Sequence, residues 1–127
     1  KRCSEGLSGV NCDDGEIEKY RWDDAVKRFK NVAYAGYSDW RLPTIDELKT
    51  LVYCSKGKNK DGYCKGSSEA PSIYQRVFPN TKAIWFWSGS PHADLSDYAW
   101  YVSFNFGFSN TSFRDGHCAV RLVRGGQ

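Results

Sequence analysis

Residues 35–48 read AGYSDWRLPTIDEL, and this stretch predicts a turn followed by the start of a helix. Its glycine and serine are turn-forming residues. Thr44 is followed three residues later by Glu47, which is the spacing of a capping box at a helix N-terminus. Apolar residues then recur at helical spacing, at Ile45, Leu48, Leu51 and Val52. We therefore predict a helix that begins at Thr44 and ends near Cys54, where a loop rich in Gly, Asn and Lys follows.

A second amphipathic pattern lies upstream, over residues 22–29. Its apolar residues follow the i, i+3, i+4, i+7 spacing of one helix face, at Trp22, Ala25, Val26 and Phe29. Acidic residues occupy the first turn and basic residues the last, which is the arrangement that the helix dipole favours. The pattern predicts a helix over residues 22–29.

The second half of the chain has the period of strands. Residues 84–88 (IWFWS) form a β-branched and aromatic run, and in residues 98–104 alternate positions are apolar. Residues 105–107 fit a short hairpin loop, after which 108–113 and 118–123 are further strands. Helices followed by antiparallel strands indicate an α+β fold, in which two short helices of the first half pack on strands of the second half.

Length and composition indicate one domain over residues 1–127. The chain has 127 residues, of which 16% are aromatic and 40% hydrophobic. A chain of this length is large enough to bury a single core, and its aromatic content argues against intrinsic disorder. It contains no run of about 18 apolar residues, so we expect no insertion into a membrane.

The spacing of the five cysteines predicts two local disulfides. Cys3 and Cys12 are nine residues apart, and Cys54 and Cys64 are ten apart. Each pair encloses a polar, glycine-containing segment that is typical of a closed loop. We predict that the first bridge closes an N-terminal segment, residues 1–21, that the second closes a lysine-rich loop, residues 54–64, and that Cys118 is left unpaired.

Disulfides place a protein in an oxidising compartment, so we expect it to be secreted, extracellular or on a bacterial cell surface. Two alternatives stay open from the residues alone. The five cysteines could all be reduced and buried as small apolar side chains. A zinc site would have to collect scattered ligands, because the chain has no CxxC motif and only two histidines. We expect no metal.

Positive charge is concentrated in the middle of the chain. The formal net charge is +3, and residues 48–82 alone carry seven basic and two acidic side chains. Four lysines lie in or beside the loop 54–64, namely Lys56, Lys58, Lys60 and Lys65. Such a cluster attracts polyanions, although lysines can also serve only to keep a loop soluble. We expect no nucleic acid as partner, because the chain has no basic helix or known nucleic-acid module.

The aromatic residues of the late strands offer a second candidate ligand surface beside the polar loop 88–97. From it we select Trp87, His92 and Tyr98 as candidate ligand-binding residues. Because side chains alternate along a strand, about half of these rings belong to the core. We expect Trp22, Trp40, Trp100 and Phe104 in the core.

A succession of motifs runs along nearly the whole chain. In order they are RCSEG at 2–6, AGYSDWRLPTIDEL at 35–48, VFPNT at 77–81, FWSGSP at 86–91, AWYVSFNFG at 99–107 and AVRLVRGGQ at 119–127. This succession resembles the C-terminal domain of the Legionella collagen-like adhesin and its bacterial relatives. The resemblance implies a C-type-lectin-like fold, a surface adhesin module that binds sulfated glycosaminoglycans, and a homotrimer. The loop 54–64 looks like an insertion relative to the family pattern.

Two further activities are considered because the resemblance implies a C-type-lectin-like fold, namely calcium-dependent sugar binding and catalysis. The Glu-Pro-Asn, Gln-Pro-Asp and Trp-Asn-Asp motifs of calcium-dependent lectins are absent, and Asp94 and Asp97 provide only two nearby carboxylates. A formylglycine-generating activity needs a cysteine pair in the C-terminal half, where only Cys118 occurs. Its neighbour His117 would point to the opposite face of a strand. We expect no cofactor and no enzymatic activity.

These observations lead to one main functional hypothesis and two alternatives. The main one is an extracellular binding module of a bacterial adhesin or pilus-associated protein that recognises a sulfated or acidic glycan. The first alternative is a protein-protein module that binds a host surface protein or assembles filaments through the aromatic late loops. The remote alternative is an enzyme of the formylglycine-generating type. For Arg121 and Arg124 we expect structural ion pairs with Asp39 or Asp46.

Overall fold

A computed structural model describes residues 1–66 and 68–125, in which two helices and ten strands form an α+β fold, as predicted. The helices are α1 (Trp22–Arg28) and α2 (Ile45–Lys49). The strands are β1 (Leu7–Ser8), β2 (Asp14–Gly15), β3 (Lys19–Tyr20), β4 (Val32–Tyr34), β5 (Tyr37–Arg41), β6 (Trp85–Pro91), β7 (Tyr98–Ser103), β8 (Phe108–Phe113), β9 (Cys118–Ala119) and β10 (Val123–Arg124). The last two residues of the AVRLVRGGQ motif lie outside the described ranges.

The start of α2 has the predicted capping box. The Glu47 backbone N–H donates to Thr44 Oγ1 at 3.2 Å, and the Thr44 N–H donates to Glu47 Oε1 at 2.8 Å. The helix ends at Lys49, earlier than predicted. Beyond it, the Thr50 hydroxyl donates to the Glu47 carbonyl at 2.5 Å, and residues 50–51 form turns that lead into the loop at Cys54.

The largest sheet has five strands in the order β3-β9-β6-β7-β8. β6 and β9 are parallel, and the other neighbours are antiparallel. A three-stranded sheet, β10-β5-β4, and a two-stranded sheet, β1-β2, complete the described strands. The hairpin of β7 and β8 is the longest regular ladder, and it runs from the pair Tyr98–Phe113 to the pair Ser103–Phe108. The candidate site residues described below lie near its two ends.

The central strands of the five-stranded sheet have buried side chains on both faces. On one face, Trp87 and Tyr101 pack with Trp22 of α1. On the other face, Phe104 packs with Leu48 of α2. The sequence predicted that alternate residues of β7 face the core, whereas the neighbouring positions are buried too, because each helix covers a different face. Of the four predicted core residues, Trp22 and Phe104 are buried, and Trp40 and Trp100 are only partly buried.

The predicted last strand, residues 118–123, is two strands in the structure. β9 pairs with β3 and β6, whereas β10 pairs with β5 of the other sheet. Residues 120–122 pass between the sheets and are buried. Strand β6 is longer than predicted and reaches Pro91, which pairs with Ala99 of β7 after a shift in register. No helix among the described residues is long and apolar enough to span a bilayer.

The two arginines of this segment have different partners. Arg124 Nε donates to Asp39 Oδ1 at 3.0 Å, which is one of the predicted ion pairs. The prediction for Arg121 is wrong, because its guanidinium is 1% exposed and donates to uncharged oxygens. These are the carbonyls of Lys1 and Arg2 and the hydroxyls of Ser4 and Thr81. Burial lowers the pKa of Arg121 to about 10, so the buried side chain is still a cation at neutral pH.

Candidate functional site

The structure contains two disulfides, at the pairs that the cysteine spacing predicts. Cys3 and Cys12 are joined with an S–S distance of 2.06 Å, and Cys54 and Cys64 with 2.01 Å. Cys118 is a buried free thiol. The second disulfide closes the lysine-rich segment, and we call residues 54–65 the lysine loop.

The lysine loop has a defined backbone conformation. Asn59 organises its tip, because its Oδ1 accepts hydrogen bonds from the N–H groups of Asp61 and Tyr63 at 3.0 and 3.2 Å. At the base, the Lys65 N–H donates to the Gly57 carbonyl at 2.9 Å. Local side-chain to backbone bonds of this kind stabilise turns. The loop therefore presents its side chains from a built scaffold.

The lysines of this loop are exposed and available to an anion. The four side chains are exposed, at Lys56, Lys58, Lys60 and Lys65. Within residues 1–66 and 68–125, none of the four forms a salt bridge. A ligand that binds these lysines therefore does not have to displace an existing ion pair. The loop is therefore a cationic surface.

The lysine loop is seated on the turn between β7 and β8. The Cys64 N–H donates to the Phe106 carbonyl at 2.8 Å, and the Tyr63 ring stacks on Phe108 with centroids 4.7 Å apart. Gly107 has a φ of +70° and lies under the disulfide, where an added Cβ would come within 2.4 Å of Cys64 Sγ. Gly107, in the turn predicted at residues 105–107, thus meets two demands, a left-handed backbone and close contact with sulfur.

Two grooves flank the lysine loop. The tyrosine groove has a volume of about 390 Å³, and its walls include Tyr53, Lys56, Glu69, Tyr74 and Arg76. The hairpin groove has a volume of about 270 Å³, and its walls include Lys49, Lys58, Asp61, Tyr63 and Phe108. Sequence reasoning selected only the lysines 56 and 58 among these residues. Lys49 and Arg76 belong to the basic segment 48–82, and that excess of charge was the available signal.

His92 and Tyr98 lie in a different place from the lysine loop. His92 Nδ1 accepts hydrogen bonds from the N–H groups of Asp94 and Leu95, each at 3.0 Å, so this imidazole orders the loop that follows β6. Tyr98 contacts Phe113 with ring centroids 4.5 Å apart. Tyr98 begins β7 and the lysine loop contacts its other end, so five residue steps, roughly 16 Å, separate them. The structure does not bring the two candidate sets together.

The prediction that Trp87 is a ligand-binding residue is wrong. Its side chain is 0% exposed, and its Nε1 donates to the Tyr20 carbonyl at 2.8 Å. A ring enclosed in this way cannot stack on a ligand at the surface. It is buried because Trp22 and Ala25 of α1 pack in the same core cluster as Trp87, at this part of the sheet face. The exposed tryptophan of this strand is instead Trp85, which stacks on Tyr101 with centroids 4.1 Å apart.

The thiol of Cys118 has the chemistry of a core residue. Burial raises its pKa to about 12, so the reactive thiolate is scarce at neutral pH. In the part of the chain that the structure describes, no three His, Cys, Asp or Glu side chains are grouped so that they could hold a metal ion. The arrangement around the lysine loop can bind an anion.

The comparisons with known proteins point to one protein family. A family model described as the Lcl C-terminal domain matches residues 1–124, which is nearly the whole chain. A search of curated proteins finds no match. The matched range includes the two disulfide loops, both helices and all ten described strands.

Proposed function

Because the chain belongs to the Lcl C-terminal domain family, we propose that it is an adhesin-type binding module that recognises a polyanionic surface ligand such as a sulfated glycosaminoglycan. The observation that carries this proposal is the lysine loop, with four exposed lysines that form no salt bridge among the described residues. Clustered cations of this kind bind polyanions by long-range attraction and by release of the counterions that the polyanion carries.

The scaffold of the lysine loop supports the same function. A flexible loop loses conformational entropy when a ligand orders it, and this loss weakens binding. Here the Cys54–Cys64 disulfide, the Asn59 side-chain bonds and the Tyr63–Phe108 stack already order the backbone. Lys49 and Lys58 both line the hairpin groove, so cationic groups continue from the loop onto α2.

We further propose that the domain works outside the cytosol and without catalysis. Two disulfides suit an oxidising compartment. An enzyme of the formylglycine-generating type would need reactive cysteines, whereas Cys118 is buried and its pKa is raised to about 12. A binding module needs only the exposed cationic surface.

The experiment is a heparin-binding titration at several salt concentrations with two matched variants. In the first, Lys58, Lys60 and Lys65 become serine, and in the control Lys19, Lys27 and Lys30, which are also exposed, become serine. Both variants lose the same charge. We expect the first to bind at least about tenfold more weakly with a shallower salt dependence, since each neutralised phosphate or sulfate releases about one counterion. Equal weakening in the two variants would show that net charge, not the lysine loop, determines binding.

A second candidate function is assembly with a protein partner through the late strands. Its supporting observation is that Phe106 and Phe113 are 57% and 58% exposed, which is unusual for rings of this size. Sedimentation velocity at rising protein concentration tests self-association, with Phe106 and Phe113 changed to serine. Concentration-dependent association that the serine variant abolishes would favour this function, and a concentration-independent monomer would oppose filament assembly.

A further inference from the structure

The tyrosine groove differs from the lysine loop in chemistry, although the two adjoin at Lys56. We propose that this groove is a separate subsite that holds one acidic sugar residue, a sugar ring that bears a carboxylate or a sulfate. The inference deepens the proposed function and rests on it, because it assumes that the ligand of this surface is an anionic glycan. Four features of the groove support it, namely its rings, its charges, its walls and its size.

The rings of the groove provide flat apolar surface at an exposed site. Tyr53 and Tyr74 are 50% and 46% exposed, and their rings meet edge to face with centroids 5.7 Å apart. In an edge-to-face pair the two ring faces point in different directions, so a ligand can contact one ring face while the two rings stay in contact with each other. The C–H face of a pyranose ring is an apolar surface of suitable shape. Tyrosine also offers a hydroxyl to a sugar hydroxyl.

The charges of the groove favour a ligand with a single anionic group. Lys56 and Arg76 line it as cations, and Glu69 lines it as a carboxylate. Arginine presents a planar fork of donors that matches a carboxylate or sulfate. Glu69 accepts hydrogen bonds from hydroxyl groups but repels a second anion. An acidic sugar satisfies both conditions, because it carries one anion and several hydroxyls on one ring.

The walls of the groove are held by backbone hydrogen bonds. The Tyr53 N–H donates to the Ser72 carbonyl at 2.8 Å, and the Ser72 N–H donates to the Phe104 carbonyl of the core at 2.6 Å. On the other side, the Glu69 N–H donates to Ser55 Oγ at 2.7 Å. The two chain segments that form the groove are therefore fixed relative to each other. A site built in this way loses little entropy on binding.

The size of the groove agrees with one sugar residue. Its volume of about 390 Å³ lies at the low end of the range for small-molecule sites. A long glycan would extend from this groove across the lysine loop, where its other acidic groups would meet Lys58 and Lys60. The groove would then fix the register of the glycan, and the loop would add charge attraction.

The experiment measures affinity for three defined tetrasaccharides by isothermal titration calorimetry. Hyaluronan tetrasaccharide carries carboxylates only, chondroitin sulfate tetrasaccharide carries carboxylates and sulfates, and maltotetraose is neutral. The variants are Tyr74→Ala, which removes the ring, Tyr74→Phe, which keeps it, and Arg76→Gln, which removes the fork. Tyr37→Ala is the control, because Tyr37 is as exposed and lies on β5. Exposed sites are chosen so that the variants fold.

We expect both acidic tetrasaccharides to bind and maltotetraose to bind at least about tenfold more weakly. Tyr74→Ala and Arg76→Gln should each weaken acidic tetrasaccharide binding about tenfold, the usual size for a lost hydrogen-bonded charge or aromatic contact. Tyr74→Phe and Tyr37→Ala should stay within about twofold of the parent. If only the sulfated probe binds, the anion is a sulfate, and if both bind alike, a carboxylate suffices.

Three results would overturn the proposal. Unchanged binding by Tyr74→Ala and Arg76→Gln, together with weakened heparin binding by the lysine-loop variant, would remove the groove and leave the proposed function intact. Equal affinity for maltotetraose would remove the requirement for an acidic sugar. Absence of binding to heparin and to all three tetrasaccharides would reject the proposed function and the subsite together.

Discussion

The Cys3–Cys12 and Cys54–Cys64 loops are closed by the same covalent bond over nearly the same length, nine and ten residues. Their surroundings differ. Cys12 is 0% exposed, and the N-terminal loop is joined to the core by Arg121, which donates to carbonyl and hydroxyl oxygens of residues 1–4. The lysine loop lies on a hairpin turn and presents exposed lysines.

The comparison teaches that a disulfide can serve two purposes in one small domain. In the N-terminal loop, the bridge holds a segment whose polar atoms complete the surroundings of a buried guanidinium. In the lysine loop, the bridge fixes the shape of a cationic surface that contributes little to the core. Substitutions in the first region should therefore change the free energy of unfolding, and those in the second should change ligand affinity.

The largest expected effect comes from Arg121→Leu. This change removes the buried donor that four oxygens share. They are the carbonyls of Lys1 and Arg2 and the hydroxyls of Ser4 and Thr81. Buried polar atoms without a partner cost about 1–3 kcal/mol each, so we expect a loss of about 3 kcal/mol or more in the free energy of unfolding. Urea denaturation followed by tryptophan fluorescence measures it.

Arg124→Leu is the matched control for that prediction. Arg124 pairs with Asp39 at the surface, where side chains are 38% and 50% exposed, and exposed pairs contribute less than about 1 kcal/mol. Similar losses for the two arginines would contradict the special role of Arg121. The same result would break the distinction between an integrated loop and a peripheral one.

The next effect comes from removing each disulfide by a pair of cysteine-to-alanine changes. From the entropy of loop closure in the unfolded chain alone, each disulfide, spanning nine or ten residues, should stabilise the folded domain by about 2–3 kcal/mol. Because the N-terminal loop also contacts the core, the loss in the free energy of unfolding should be larger when Cys3 and Cys12 are replaced. Replacement of Cys54 and Cys64 should instead weaken heparin binding. Thermal unfolding and the heparin titration are measured on both variants. The opposite assignment of the two effects would refute the comparison.

The sequence was sufficient for features that depend on neighbours along the chain. The cysteine pairs, the Thr44–Glu47 capping box and the glycine of the β7–β8 turn all follow from short spacings. The order of helices and strands also indicated the α+β class. Each of these features is decided by local geometry, which the residue types themselves report.

The rest depended on contacts between distant segments. Trp87 is buried because α1 packs against it, and no pattern within IWFWS distinguishes it from the exposed Trp85, which lies on the same face two residues earlier. Arg121 resembles a surface arginine until residues 1–4 surround it. The tyrosine groove combines residues 53–56 with residues 69–76, and their contact across the intervening lysine loop is invisible in a one-dimensional pattern.

Gly107→Ala tests how the lysine loop is seated. Alanine must adopt a φ of +70° there, and its Cβ would lie within 2.4 Å of Cys64 Sγ. The left-handed backbone alone costs about 1–2 kcal/mol, and the clash should displace the loop from the hairpin. We expect a loss of stability of this size together with weaker heparin binding. Gly57→Ala is the control, because its φ is also positive but the space around it is open.

If the two glycine variants lose the same stability and affinity, backbone strain explains the result and contact with the disulfide adds nothing. A larger effect of Gly107→Ala on affinity than Gly57→Ala would instead show that the position of the lysine loop on the hairpin matters for binding. This outcome would sharpen the comparison, because it would tie ligand affinity to the way the lysine loop is seated on the hairpin.

The smallest expected effect is an acid sensitivity at the start of α2, the helix that leads into the lysine loop. The side-chain hydrogen bond from Arg41 lowers the pKa of Glu47 from 4.5 to about 2. Since the folded pKa lies below the unfolded one, the stabilisation is complete above about pH 4.5 and is lost as the pH falls toward 2. Glu47 is 34% exposed, so solvent screening should keep the loss below about 1 kcal/mol. We expect Glu47→Gln to reduce the difference in unfolding free energy between pH 5 and pH 2.5, measured with urea. An unchanged difference in Glu47→Gln would mean that acid destabilises the domain through other groups and that the start of α2 is not its acid-sensitive part.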